Sequence, residues 1–79
     1  MGITAMEERR LELKAEMIRR GMTQRDLARL LRDRGLDAEP YDVARVIAGR
    51  WDPPDEMRTA IAAILRRPSF ELFTGGGRR

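Results

Sequence analysis

The chain has 79 residues, room for one small domain burying about 60% of the surface its unfolded form exposes. It contains no Cys and no His, which excludes disulfides, thiol chemistry, zinc held by sulfur or imidazole, and the commonest general base. Sixteen basic residues against thirteen acidic ones leave a net charge of +3, too mild to demonstrate a polyanionic partner.

All but Lys14 of the basic residues are Arg. That bias reads either as solvated helix faces or as a supply of planar donor forks for phosphates and guanine edges. A hydrophobic share of 42% is enough for a core and too high for a disordered chain. No apolar run approaches the roughly 20 residues of a membrane span, and no secretory leader is evident, so a cytoplasmic protein is expected.

The first expected helix starts at Thr4-Ala5-Met6-Glu7, a capping box, and runs to Arg20. Leu13 and Met17 share one face and Leu11, Ala15 and Ile18 another, which predicts a broad apolar stripe. Gly21 is the expected C′ residue. The second start signal is Thr23-Gln24-Arg25-Asp26, with Met22 and Leu27 spaced as a hydrophobic staple. Leu27, Ala28, Leu30 and Leu31 are its inward residues, Arg25, Arg29 and Arg32 its outward ones, and Gly35 its terminator.

Asp37 or Glu39 then precedes Pro40, a residue suited to a first helical turn. The third helix spans Tyr41 to Ala48, with Val43, Val46 and Ile47 apolar, and ends at Gly49. In the connector that follows, Asp52 is the candidate N-cap of a fourth helix from about Pro54 to Arg66. Met57, Ala60, Ile61, Ile64 and Leu65 recur in it at helical spacing. Pro68 stops it, and Ser69 to Phe73 reads as a last capped turn. Residues 1–73 are thus one expected all-α domain of four to five helices, and 74–79 a loose basic tail.

Met22-Thr23-Gln24-Arg25-Asp26-Leu27-Ala28 resembles the opening of the helix-turn-helix in lambda-repressor-like, Cro-type DNA-binding domains. Val43 to Arg50 resembles the end of that family's recognition helix with its closing glycine. Pro54, Ile61 to Leu65 and Ser69 to Phe73 resemble its last two helices. Leu13 to Gly21 and Trp51-Asp52-Pro53 are also similar to small Ner-like regulators of transposable phages. The resemblance spans roughly residues 11 to 73. The segment between Leu31 and Tyr41 is longer than the family's tight turn, and Asp37, Glu39 and Asp42 bring three acids to the start of the reading helix.

What the resemblance implies is sequence-specific binding of double-stranded DNA, with the helix near residues 40–48 in the major groove. It makes the protein a small repressor-type transcriptional regulator, dimeric on a palindromic site. Gln24 is the residue that resembles the family's phosphate anchor.

Physical reasoning adds the remaining candidates. Arg45 is the first choice for reading guanine, with a solvated or ion-paired Arg as its plain alternative. Asp42 either accepts from a cytosine amine or serves the helix N-terminus. Tyr41 either reaches the DNA or packs its ring on the core. Thr23 is chiefly a cap. Arg25 and Arg50 are phosphate candidates, and Trp51 is a packing residue whose indole N–H could meet a phosphate.

Phe70, Leu72 and Phe73 either form a dimer interface or close the core. No catalytic set, metal site, cofactor or small-molecule pocket is expected. The alternative is a protein-interaction domain of the same fold, antitoxin-like, with little or no DNA binding.

Overall fold

A computed structural model describes residues 10–73; the Thr4 to Glu7 cap and the 74–79 tail lie outside them. The described residues form five helices and no strand: α1 (Leu11–Arg19), α2 (Gln24–Asp33), α3 (Pro40–Ile47), α4 (Asp55–Leu65) and α5 (Ser69–Phe73). The expected all-α class and its helix order are therefore observed.

Local chemistry sets most of the boundaries. The Thr23 hydroxyl accepts from the Asp26 amide at 3.0 Å, and the Thr23 amide donates to the Asp26 carboxylate at 3.0 Å. This reciprocal pair satisfies two first-turn donors and starts α2. Met22 is half-buried and packs against the core to which Leu27 belongs. Pro40 opens α3, and the amide of Glu39 before it donates to Asp42.

The first two helices stop by the same device. Gly21 and Gly35 take φ of 64° and 89°, and the amides after them reach back to Met17 and Leu31, closing Schellman turns. α4 ends the same way with Arg66 at φ 58°, where the side chain carries the left-handed strain a glycine would avoid.

Leu13, Leu27, Leu31, Val46, Ile61, Leu65 and Leu72 are fully buried at the centre. Each contributes about 1.5–3 kcal/mol of hydrophobic stabilisation. Of the inward residues expected of the paired helices, Leu27, Ala28, Leu31, Val43 and Val46 lie in this core, whereas Leu30 is only half-buried and is not part of it. α2 packs against α3 and α4, while α1 packs against α5 and α3.

Three expectations are corrected. The helix expected to run through Arg10 to Arg20 instead starts at Leu11, because Arg10 has φ −90° and ψ 81° and its amide donates to Ile47 rather than to a helix partner. The apolar stripe of α1 is narrower than its periodicity implies: Leu11 and Ile18 are exposed, because only the Leu13–Met17 face meets the other helices. Asp52 does not cap α4, which starts after Pro54 without a side-chain cap; its carboxylate pairs with Arg10. The long α2–α3 connection is accounted for by residues 34–39. It is fastened by buried Ala38, whose carbonyl accepts from Arg32 at 2.8 Å.

Two charged side chains organise the rest. Arg10 is almost completely buried. Its Nη1 donates to the carbonyls of Val46 at 2.7 Å and Trp51 at 3.1 Å, and its Nη2 pairs with Asp52. Glu16 is buried on α1, where Arg19, Arg20 and Arg67 converge on its carboxylate. These donors, Arg19 foremost, hold its pKa down at about 2, against the opposing effect of burial.

Replacing Arg10 with Met is expected to cost about 2–3 kcal/mol in a urea titration, because buried carbonyls lose a charged donor. Asp52→Ala is expected to cost less than about 1 kcal/mol, since that carboxylate is largely exposed. Glu16 makes a pH-dependent contribution. Its folded pKa of about 2 lies below the ordinary 4.5, so the stabilisation is complete above pH 4.5 and fades as the pH falls towards 2. The stability difference between the wild type and Glu16→Gln should be open at neutral pH and close across that window.

Candidate nucleic-acid interface

α2 and α3 stand against each other with their starts close together. Thr23, Gln24 and Arg25 from the first turn of α2 line one shallow concavity with Pro40 of α3. All three are exposed, as Thr23 spends its hydroxyl on the cap and leaves the other two side chains facing outward.

A neighbouring groove of about 210 Å³ follows α3. Ala44, Ile47 and Ala48 form its floor, Gln24 one wall, and Arg10, Leu11 and Lys14 from the start of α1 the other. A third concavity shares Ala44 and Ala48 and is bounded by Tyr41, Arg45 and Arg50. The shared residues make the three concavities one continuous surface. Small side chains in its middle let another backbone approach α3 closely, while Lys14, Arg25 and Arg50 ring it with positive charge.

Six of the residues singled out in the sequence, Thr23, Gln24, Arg25, Tyr41, Arg45 and Arg50, line this surface directly. Asp42 and Trp51 enter through Arg45. The Arg45 Nη2 donates to Asp42 Oδ1 at 2.8 Å, and its guanidinium carbon lies 4.4 Å from the Trp51 ring centroid and 5.2 Å from that of Tyr41. Trp51 is otherwise a packing residue against the core. Tyr41 is 71% exposed, so its ring serves Arg45 and solvent, not the core.

Asp42 is held below the ordinary carboxylate range, first by its bond from Arg45 and then by the Glu39 amide. This alters the meaning of the three acids near the start of α3. Asp42 is spent on Arg45 and the helix start. Glu39 lies 3.9 Å from Arg32, and Asp37 is exposed.

Sequence reasoning missed Lys14 and Leu11. The lone Lys of an Arg-rich chain was the one available cue, but nothing local tells that the start of α1 lies along α3. That position follows from the Arg10 amide bonding Ile47. Among the described residues no group of acids is placed to hold a metal ion, and no helix is long and apolar enough to cross a membrane. Comparison of the chain with known protein families, curated proteins and solved structures yields no match.

Trp51 is the single tryptophan, so its fluorescence reports the Arg45 stack directly. Arg45→Ala is expected to shift its emission to longer wavelength by uncovering the ring, whereas Arg50→Ala leaves it in place.

Proposed function

We propose that this chain binds double-stranded DNA with sequence preference, seating α3 in the major groove as a small transcriptional regulator. The observation that carries this reading is the continuous surface along α3. The outer face of α3, with Ala44 near its middle and Ala48 at its end, is flanked on one side by Gln24 and Arg25 and on the other by Arg50, with Lys14 above. A groove about 12 Å wide accepts such a helix, and flanking cations and helix-start amides meet the phosphates on either side. The resemblance of Met22 to Ala28 and of Val43 to Arg50 to lambda-repressor-like domains supports the same arrangement. A domain of this size gains affinity by dimerising on a palindrome, which fits a cytoplasmic repressor.

The dimer face changes from the sequence expectation. Leu72 is fully buried in the monomer, and Phe73 packs on the core with its ring 5.5 Å from the Arg10 guanidinium, so only Phe70 is left exposed. The second reading, a protein-interaction domain, is favoured by the exposed Leu11, Ile18 and Phe70.

A fluorescence anisotropy titration of random-sequence duplex at two salt concentrations tests the choice. DNA binding is expected with a dissociation constant of roughly 10⁻⁴–10⁻⁶ M that weakens steeply with salt. Lys14→Ala and Arg50→Ala should each lower the salt slope by about 1. Absence of binding at low salt would return the chain to the protein-partner reading.

A further inference from the structure

An arginine on a reading helix ordinarily has many rotamers to lose on binding. Arg45 has already lost them. Its Nη2 is fixed by Asp42 Oδ1, and Asp42 is itself immobilised because Oδ2 accepts the Glu39 amide at 3.0 Å. The Trp51 ring lies 4.4 Å from the guanidinium carbon. The backbone of Trp51 is tied down through its carbonyl, which accepts from buried Arg10, while the Arg50 amide before it closes the end of α3 on the Arg45 carbonyl at 3.0 Å. The Tyr41 ring covers the guanidinium from the helix start.

Donor accounting indicates what this cradle leaves over. A guanidinium side chain has five N–H groups. One goes to Asp42, and the Nε–H is buried without an acceptor. The Nη1 pair and the second Nη2 hydrogen remain. The side chain stays one-third exposed and lines the concavity beside Ala44 and Ala48, where small residues leave room for a base edge. A terminal Nη1/Nη2 fork with a fixed plane matches the O6 and N7 acceptors of guanine, and fixing it in advance removes ordering cost from the bound state.

We propose that Asp42 is a positioning residue which, with the Trp51 and Tyr41 rings, holds Arg45 preorganised to read one guanine; this rests on the DNA-binding reading above. The nearest acid to the reading helix is then part of the reader and not a repulsive charge against the phosphates.

The test uses two duplexes: one enriched from a random library by the wild-type protein, and a scrambled version of it. Wild type and Asp42→Asn are titrated on both, and on the enriched duplex with each guanine replaced in turn by 7-deazaguanine, which lacks the N7 acceptor. Asn keeps an acceptor for the Glu39 amide while losing the charge that grips Arg45. Asp42→Asn should bind the scrambled duplex more tightly, having lost a negative charge, and the enriched duplex about tenfold more weakly. Wild type should lose affinity at one deazaguanine position, and Asp42→Asn should be indifferent there. Arg45→Lys, which keeps the ion pair but lacks the fork, should share that indifference and covers the case in which Asp42→Asn folds poorly.

Equal tightening on both duplexes would overturn the proposal by making Asp42 a mere charge. Tighter binding of the enriched duplex with deazaguanine sensitivity retained would overturn it by showing that Asp42 restrains Arg45 from the base. A wild-type protein that enriches a site without guanine sensitivity would also overturn it, while leaving the DNA-binding reading intact. Failure of the wild type to bind even the scrambled duplex at low salt would remove both.

Discussion

The architecture depends on one buried guanidinium. Arg10 sits at the junction where α1 begins and α3 ends, and it uses both backbone and side chain there. Its amide bonds Ile47, its Nη1 bonds Val46 and Trp51, and its Nη2 reaches out to Asp52. The last carbonyls of a helix carry partial negative charge and lack partners within it. A cation placed against them satisfies both needs. The bonds to these carbonyls offset the desolvation of Arg10, and because its carboxylate partner stays largely in water only one of the two charges is taken out of solvent. The same residue sets the position of Lys14 along α3 and of Trp51 beneath Arg45, and thereby links the core to the candidate interface.

Arginine repeats this role elsewhere in the domain. Arg20 bonds the Leu65 carbonyl at 2.6 Å near the end of α4, and Arg32 bonds Ala38 in the long connector. Arg67 bridges Glu16 on α1 and Glu71 on α5. A chain of this length has few large apolar side chains with which to fasten five helices. Charged donors at helix ends extend the fastening beyond the core, with Glu16 as the acceptor that binds α1 to the segment after α4. The Arg-rich composition therefore falls into two sets: an inner set closes helix ends, and an outer set, with Arg25 and Arg50 among it, surrounds the candidate interface.

What was legible in the sequence was the local chemistry. The Thr23–Asp26 box, Pro40 at a helix start and Gly21 and Gly35 past helix ends each act within a few residues, and each was read in place. The buried faces of α2 and α3 followed from periodicity apart from Leu30, which the same pattern places inward and the fold leaves half-buried outside the core. The illegible part was set by partners far along the chain. Arg10 carries no sign of burial, since its acceptors lie 36 and 41 residues away. Asp52, before two prolines, has the look of a helix cap, and only the location of Arg10 reveals its other partner. Leu11 and Ile18 match a helical stripe as well as Leu13 and Met17 do, yet no element among the described residues covers them.

The site divides along the same line. Its membership was largely readable: Gln24, Arg25, Tyr41, Arg45 and Arg50 share one surface because the paired helices bring them together. Its electrostatics were not. An acid three residues before Arg45 looked like an obstacle to a polyanion, whereas the fold makes the two a single unit, with Asp42 held ionised below its ordinary range and already committed to a cation. That pair presents nearly no net charge to an approaching phosphate but a fixed donor fork to whatever lies in the groove. Under the proposed DNA-binding reading, long-range attraction falls to Lys14, Arg25 and Arg50 at the margins, and discrimination to the centre. In the DNA complex proposed above, separating attraction at the rim from selection in the middle is what would let a domain with a net charge of only +3 hold a polyanion without holding every sequence equally.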